Sequence, residues 1–254
     1  MKTERIERLG SRLRHIPSRA WFAGILLLAV ILRGWYFLIA TGIKRDSLLF
    51  IELAAGMAAG DGTALFRSPV QPLYPALMAL GARFGLAPGA AGQAVSFAAG
   101  IATVCIGWRI GRLISGRAFF APAVMFLFAV HPFFIRQDIL VLRDSLYVML
   151  FAAAVCCLLQ LCRRPGWKSA VLLGCTTALA CFTRREGVEL LLFWAVASGF
   201  AAWNGEGKRL AGFLGLAALA AAVCAVLLGA WFSLCGYDAA LEFSRILRLA
   251  GGVL

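Results

Sequence analysis

Long apolar stretches separated by short polar ones run through most of the chain. The apolar segments lie near residues 20–41, 91–108, 118–134, 145–162, 168–183, 187–203 and 210–234. An α-helix crosses the hydrocarbon core of a bilayer with about 20 apolar residues. Each segment is therefore a candidate span, the shorter ones borrowing residues from their flanks. A further stretch, PVQPLYPALMALGARFG (69–85), is shorter and opens on three prolines. The pattern predicts an all-α fold, a polytopic membrane helix bundle.

Whether 69–85 crosses decides the orientation of everything after it. Lys and Arg collect on the cytoplasmic side of membrane helices. If 69–85 stays on one side, four segments share a face: the N-terminus, the loop with Arg109, Arg112 and Arg117, RRPGWK (163–168) and NGEGKR (204–209). They hold 14 of the 25 basic residues and only three acids, Glu4, Glu7 and Glu206. If it crosses, three of these four move outside. The non-crossing arrangement is expected, with about seven transmembrane helices. It divides the chain into a basic cytoplasmic N-terminus (1–19), a transmembrane domain (20–234) with an outer loop over 42–90, and an outer C-terminal tail (235–254).

Composition agrees with this pattern. The chain is 62% hydrophobic and 15% charged, where soluble domains run near half apolar and a quarter charged. A soluble single domain fits this composition poorly, and a disordered chain is excluded. The net charge of +13 would suggest nucleic acid in a soluble protein, but here the basic residues punctuate apolar runs and read as topology. The eight cysteines sit within or beside apolar runs without a CxxC pair, as small apolar side chains rather than a disulfide or zinc framework. The N-terminus is too long and too mixed in charge for a signal peptide. No Walker motif, dinucleotide fingerprint or HExxH occurs.

The outer side then carries mixed charge, some of it at helix ends, where ionisable groups usually face a cavity. KRDSLLFIELAAGMAAGDGTALF (44–66) reads as a short amphipathic helix on that face. Asp46 and Ser47 suit its N-terminus, and Gly60-Asp61-Gly62 supplies a turn. Capping alone accounts for Asp46; the functional reading is a general base at a cavity mouth. RDSL recurs at 143–146, offering Asp144 as a second outer carboxylate. Arg45 and Arg143, beside the two acids, either pair with them or hold phosphate oxygens. ACFTRREGVELLLF (180–193) sets Arg184, Arg185 and Glu186 between two spans, to neutralise a phosphate group or to anchor at headgroups. Arg33 lies inside the first span and must face other helices or snorkel. His131, before Pro132, and most tryptophans read as interfacial.

In their order these elements resemble the GT-C superfamily of membrane glycosyltransferases, nearest to family 39 and the aminoarabinose-transferase-like members of the protein-mannosyltransferase type. The family shows a first span, an acid ahead of a juxtamembrane helix (Asp46 in RDSLLFIELAAGMAAGDG) and a "PPLYP" turn (PVQPLYPALMALGARFGL). There follow a "gRl..gR" loop (IGWRIGRLISGRAFFAPA), a helix ending in "hP" (FAVHPFF), an acid opening the next helix (Asp144 in VLRDSLYVML) and a "tRpEg" turn (TTALACFTRREGVELL). The resemblance covers about residues 20–200 and rests on order rather than on one motif. It implies that Asp46 activates the acceptor or organises the active site, and that Asp144 is the second acid of the cavity. It places Arg67, Arg184 and Arg185 on the lipid-linked phosphate, with Arg45, Tyr74, Arg143 and Glu186 completing the substrate-binding set.

The function this implies is transfer of a sugar from a polyprenyl-phosphate donor to a lipid, glycan or protein acceptor on the outer face. A bacterial inner or plasma membrane fits, with the active face periplasmic or extracellular. Carboxylates can hold a hard divalent cation, but no spacing here demands one. Two departures stand out. Ser47 and Leu48 follow Asp46 where the family often has another acid, and complete members are longer, often with a soluble outer domain. A truncated or split enzyme, with a partner subunit supplying the C-terminal part, is therefore one expectation. The alternatives are a non-catalytic membrane protein, such as a lipid-carrier flippase component or assembly partner, and an inactive relative.

Overall fold

The computed structural model describes residues 18–40, 43–61, 70–115, 117, 119–203 and 207–234. Residues 1–17, Arg67 and the tail 235–254 lie outside the described residues, and with them the roles expected there. The described chain is helical, with turns and no strand. Its elements are α1 (Ser18–Ile39), α2 (Arg45–Ala58), α3 (Leu73–Arg83), α4 (Pro88–Ile114), α5 (Phe120–Val130), α6 (Pro132–Gln137), α7 (Asp144–Arg163), α8 (Trp167–Thr183), a 3-10 turn (Arg185–Glu189), α9 (Leu190–Trp203) and α10 (Gly207–Leu234).

Of the seven apolar runs, four form helices long and apolar enough to cross a membrane: α1, α4, α7 and the Leu210–Ala230 part of α10. Helices α5 and α8 are apolar but shorter. Run 118–134 is cut because Pro132 cannot continue α5: its ring disfavours helical backbone at His131, which is extended. A new short helix starts there, with Pro132 at its first position and His131 Nδ1 accepting from the Phe133 N–H. Many large apolar side chains point outward from the helices, among them Leu27, Ile31, Leu38, Leu127, Leu172, Leu192, Phe200, Leu219 and Val226. Such a surface suits a hydrocarbon surround rather than water. The described residues are all-α, with four helices long and apolar enough to cross a membrane.

Contacts near helix ends set directions. Helices α4 and α7 run parallel. Ser96 of α4 donates to the Leu142 carbonyl just before α7, while Arg163 at the far end of α7 donates to the Ile114 carbonyl at the end of α4. Helix α1 runs opposite to α4: its first turns set Phe22 edge-on to Trp108, with ring centroids 5.4 Å apart, and its last turns deliver Arg33 to Asp138. The bundle thus has two ends. One is basic, with Arg19, Arg109, Arg112, Arg163 and Arg164. The other is mixed, with Asp138, Arg143, Asp144 and the 184–189 turn. Because α1 finishes and α4 begins at the mixed end, α2 and α3 leave and rejoin the bundle there.

One core cluster starts beneath that end, where Phe50, Tyr74, Met78, Val141 and Leu146 pack together, and continues to Leu158, Leu161 and Leu210 toward the basic end. Farther along the chain, α8 and α10 approach so closely that a Cβ on Gly174 would lie 2.1 Å from the Ala217 carbonyl oxygen. Small residues allow this backbone approach between helices that gain little from apolar burial in lipid.

Candidate functional site

Three segments converge at the mixed end: the start of α7, the turn after α8 and the start of α3. Helix α7 opens on Asp144, where the helix dipole favours a carboxylate. Helix α8 stops at Thr183, Arg184 turns extended, and Gly187 packs against the backbone of Ala180 and Cys181 where a Cβ would not fit. This tight return carries Arg184 back to α7.

Arg184 is the hub. Its Nη1 donates to Asp144 Oδ1, and its other nitrogens hold both Glu186 oxygens, Nη2 at 2.9 Å and Nε at 3.3 Å. The guanidinium also lies 5.4 Å from the Tyr147 ring centroid, a favourable cation–π position. The paired hydrogen bonds from Arg184 pull the Glu186 carboxyl down to about 2. Those bonds to Glu186, more than the Asp144 charge, hold the Arg184 guanidinium above its ordinary value. Arg143 does not pair with the adjacent Asp144. It donates through Nη1 to Gln71 Oε1, just ahead of α3. Burial foremost, then the neighbouring Arg184 charge, lowers its affinity for a proton. Arg185 is exposed within the same field. Three cations thus face two carboxylates on a partly open surface, an arrangement suited to receiving an anion.

Tyr74 stands below this surface, fully buried. Its hydroxyl lies 3.0 Å from the Gly92 carbonyl oxygen and 2.9 Å from Ser96 Oγ, which in turn donates to the Leu142 carbonyl. Burial drives its pKa well above the tyrosine range. Tyr74 therefore ties α3, α4 and the start of α7 together as the floor of the cluster. Its ring meets Phe50 of α2 edge-on at 5.4 Å.

Asp46 stands apart. Ser47 is buried and accepts from the Lys44 backbone N–H at the start of α2. Asp46 and Arg45 face outward, exposed, and have no hydrogen-bonded or ion-paired partner among the described residues. The structure thus brings Arg143, Asp144, Arg184, Arg185 and Glu186 together over Tyr74, without Asp46 or Arg45.

A second ionic site was not legible beforehand. Arg33, 1% exposed, donates through Nε to Asp138 Oδ2 at 2.8 Å. Its terminal nitrogens reach the carbonyl oxygens of Ala29, Ala129 and Phe128. Asp138 is 3% exposed and lies where a Cβ on Gly100 would stand 2.1 Å from its carboxylate. An arginine inside an apolar run announces that it needs an acid. Nothing in the spacing selects Asp138 from the other acids at that end.

Among the described residues no group of three His, Cys, Asp or Glu side chains is placed to hold a metal ion, and the seven described cysteines are free thiols. No family model, curated protein or solved structure matches the chain.

Proposed function

We propose that the chain is a membrane-embedded glycosyltransferase that moves a sugar from a polyprenyl-phosphate donor to an acceptor hydroxyl. The observation that carries this reading is the partly exposed cluster of Arg143, Arg184 and Arg185 around Asp144 and Glu186, at the bundle end from which α2 and α3 extend. In the reaction the acceptor oxygen attacks the anomeric carbon, the bond from that carbon to the phosphate oxygen breaks, and a base takes the hydroxyl proton. The three arginines meet the charge that develops on the leaving phosphate. Asp46, on the outward face of α2 and free of partners among the described residues, is the base; Asp144 organises the arginines. The reading includes seven passes, with α5, α8 and α9 as the short ones. The alternating directions of α1, α4, α5, α7 and α8 support it. The N-terminus is then cytoplasmic and the mixed end faces the periplasm or exterior of a bacterial membrane.

One observation favours a second reading, a non-catalytic protein that binds the lipid carrier: both cluster carboxylates are already held by Arg184. Reconstituted protein supplied with a labelled polyprenyl-phosphate hexose separates the two. Release of polyprenyl phosphate, abolished in Asp46→Asn and in Arg184→Gln, is expected for the transferase. Retention of the intact probe without turnover selects the binding protein. Unchanged turnover in Asp46→Asn removes Asp46 from the mechanism.

A further inference from the structure

At the basic end, the first turns of α1, the last turns of α4 and the segment leading into α5 enclose a cleft of about 550 Å³, lined by Ser18, Arg19, Phe22, Trp108, Arg112, Ser115 and Arg117 among others. That volume falls within the range of small-ligand sites, about 300–1,000 Å³. Three guanidinium groups enter it, all exposed. None of the three guanidiniums has an acceptor among the described residues, and no described carboxylate lines the cleft. Arg109, by contrast, is taken up by Gln160, and Arg163 by the Ile114 carbonyl. The seven described carboxylates, Asp46, Glu52, Asp61, Asp138, Asp144, Glu186 and Glu189, belong to segments of the mixed end; Asp138, packed at Gly100, is about 18 Å from Arg112 by the rise of α4. Phe22 and Trp108 form the apolar wall, and Phe119 and Phe120, both exposed, lie in the chain between Arg117 and Ala121 of the lining.

The site lies where two membrane-crossing helices, α1 and α4, emerge from their apolar stretches, which is the depth of lipid headgroups. We infer that this cleft binds the phosphate of an anionic glycerophospholipid, with Arg19, Arg112 and Arg117 on the phosphate oxygens and Ser18 and Ser115 as added donors. Charge, depth and the aromatic wall choose this occupant together. Three guanidiniums with no acceptor among the described residues call for a phosphate, which they bind bidentately. The Phe22–Trp108 wall, with exposed Phe119 and Phe120 next in the chain to the lining, calls for acyl chains rather than a free ion. Basic pockets between membrane helices on the cytoplasmic side are a recurrent way to hold such headgroups. The inference rests on the membrane placement of α1 and α4 and not on sugar transfer, so a failed transfer assay leaves it standing.

Native mass spectrometry of the full chain in detergent, titrated with phosphatidylglycerol, tests it. The expected result is one tightly retained phosphatidylglycerol per chain, with phosphatidylcholine at least about tenfold weaker and the phosphatidylglycerol lost by about tenfold or more in Arg19→Gln/Arg112→Gln/Arg117→Gln. The substituted side chains are exposed and without an acceptor among the described residues, so the variant keeps its elution volume and melting temperature. Arg109→Gln, at the same end but outside the cleft, retains the lipid and controls for general charge loss. Equal retention of phosphatidylglycerol by the triple variant overturns the proposal, as does equal retention of phosphatidylcholine by the unaltered protein. Displacement of the lipid by millimolar inorganic phosphate also overturns it, because the cleft is then a free-phosphate site.

Discussion

Arg33 with Asp138 and Arg184 with Asp144 are both arginine–aspartate pairs at the same end of one bundle, yet they differ in what surrounds them. At the first, both partners are sealed, the guanidinium is shared among a carboxylate and three carbonyl oxygens, and Gly100 leaves room for nothing else. At the second, the side chains of Arg184 and Asp144 remain 28% and 27% exposed, and Glu186 is 46% exposed. Water and counterions reach the second pair but not the first. A buried pair is costly to break because the survivor keeps an uncompensated charge. A half-exposed pair exchanges partners at little cost. The same two residue types therefore fasten helices in one place and remain available to an incoming anion in the other.

The largest expected effect is at the sealed pair. Asp138→Ala leaves Arg33 buried without its acid and should lower stability by about 3–5 kcal/mol, measured as unfolding in mixed detergent micelles. Asp144→Ala should cost less than about 1 kcal/mol in the same assay. Equal losses would abolish the distinction. Gly100→Ala comes next, since the new methyl group must displace the Asp138 carboxylate; overpacking of this kind costs about 1–3 kcal/mol. A Gly100→Ala protein as stable as the parent would show that the pair is not confined.

Arg184→Gln should leave stability within about 1 kcal/mol while removing binding of a labelled polyprenyl-phosphate probe. Unaltered probe binding would detach the cluster from any phosphate role. The smallest effect is a pH dependence. Glu186 titrates near 2 when folded, against an ordinary value of 4.5. Its folded value is depressed, so its contribution is fully present above 4.5 and is lost as pH falls toward 2. Stability followed across that window should decline more steeply in the parent than in Arg184→Gln. Identical slopes would mean that Arg184 does not hold Glu186 in solution.

The helices were largely legible in the chain, because apolar runs and their polar breaks are local. Residues 20–41 become α1 at 18–39, 145–162 become α7 at 144–163, and the proline-led 69–85 shortens to α3 behind Pro72. The cluster was legible only as a set of residue types. Adjacency suggested that Arg143 serves Asp144, but the partner comes from Arg184, 40 residues on, because Gly187 lets the turn fold back on α8. Tyr74 stood out in the PLYP turn, yet its hydroxyl is spent on Gly92 and Ser96. Pairings of this kind depend on which helix ends meet, and helix periodicity carries no record of that.

The Arg33 clamp also sets an order of events during synthesis. Its acid lies 105 residues downstream, which at about 5–20 residues per second is roughly 5 to 20 s of elongation. Through that interval α1 carries a charged group without its acid, off the centre of the span and so at a cost below the mid-membrane figure of about 2.5–3.5 kcal/mol. Until residue 138 emerges, the guanidinium has to reach toward the near surface. The arrival of Asp138 then draws it inward and sets the final register of α1, so this helix is fixed only after the 105 residues up to its acid have been made.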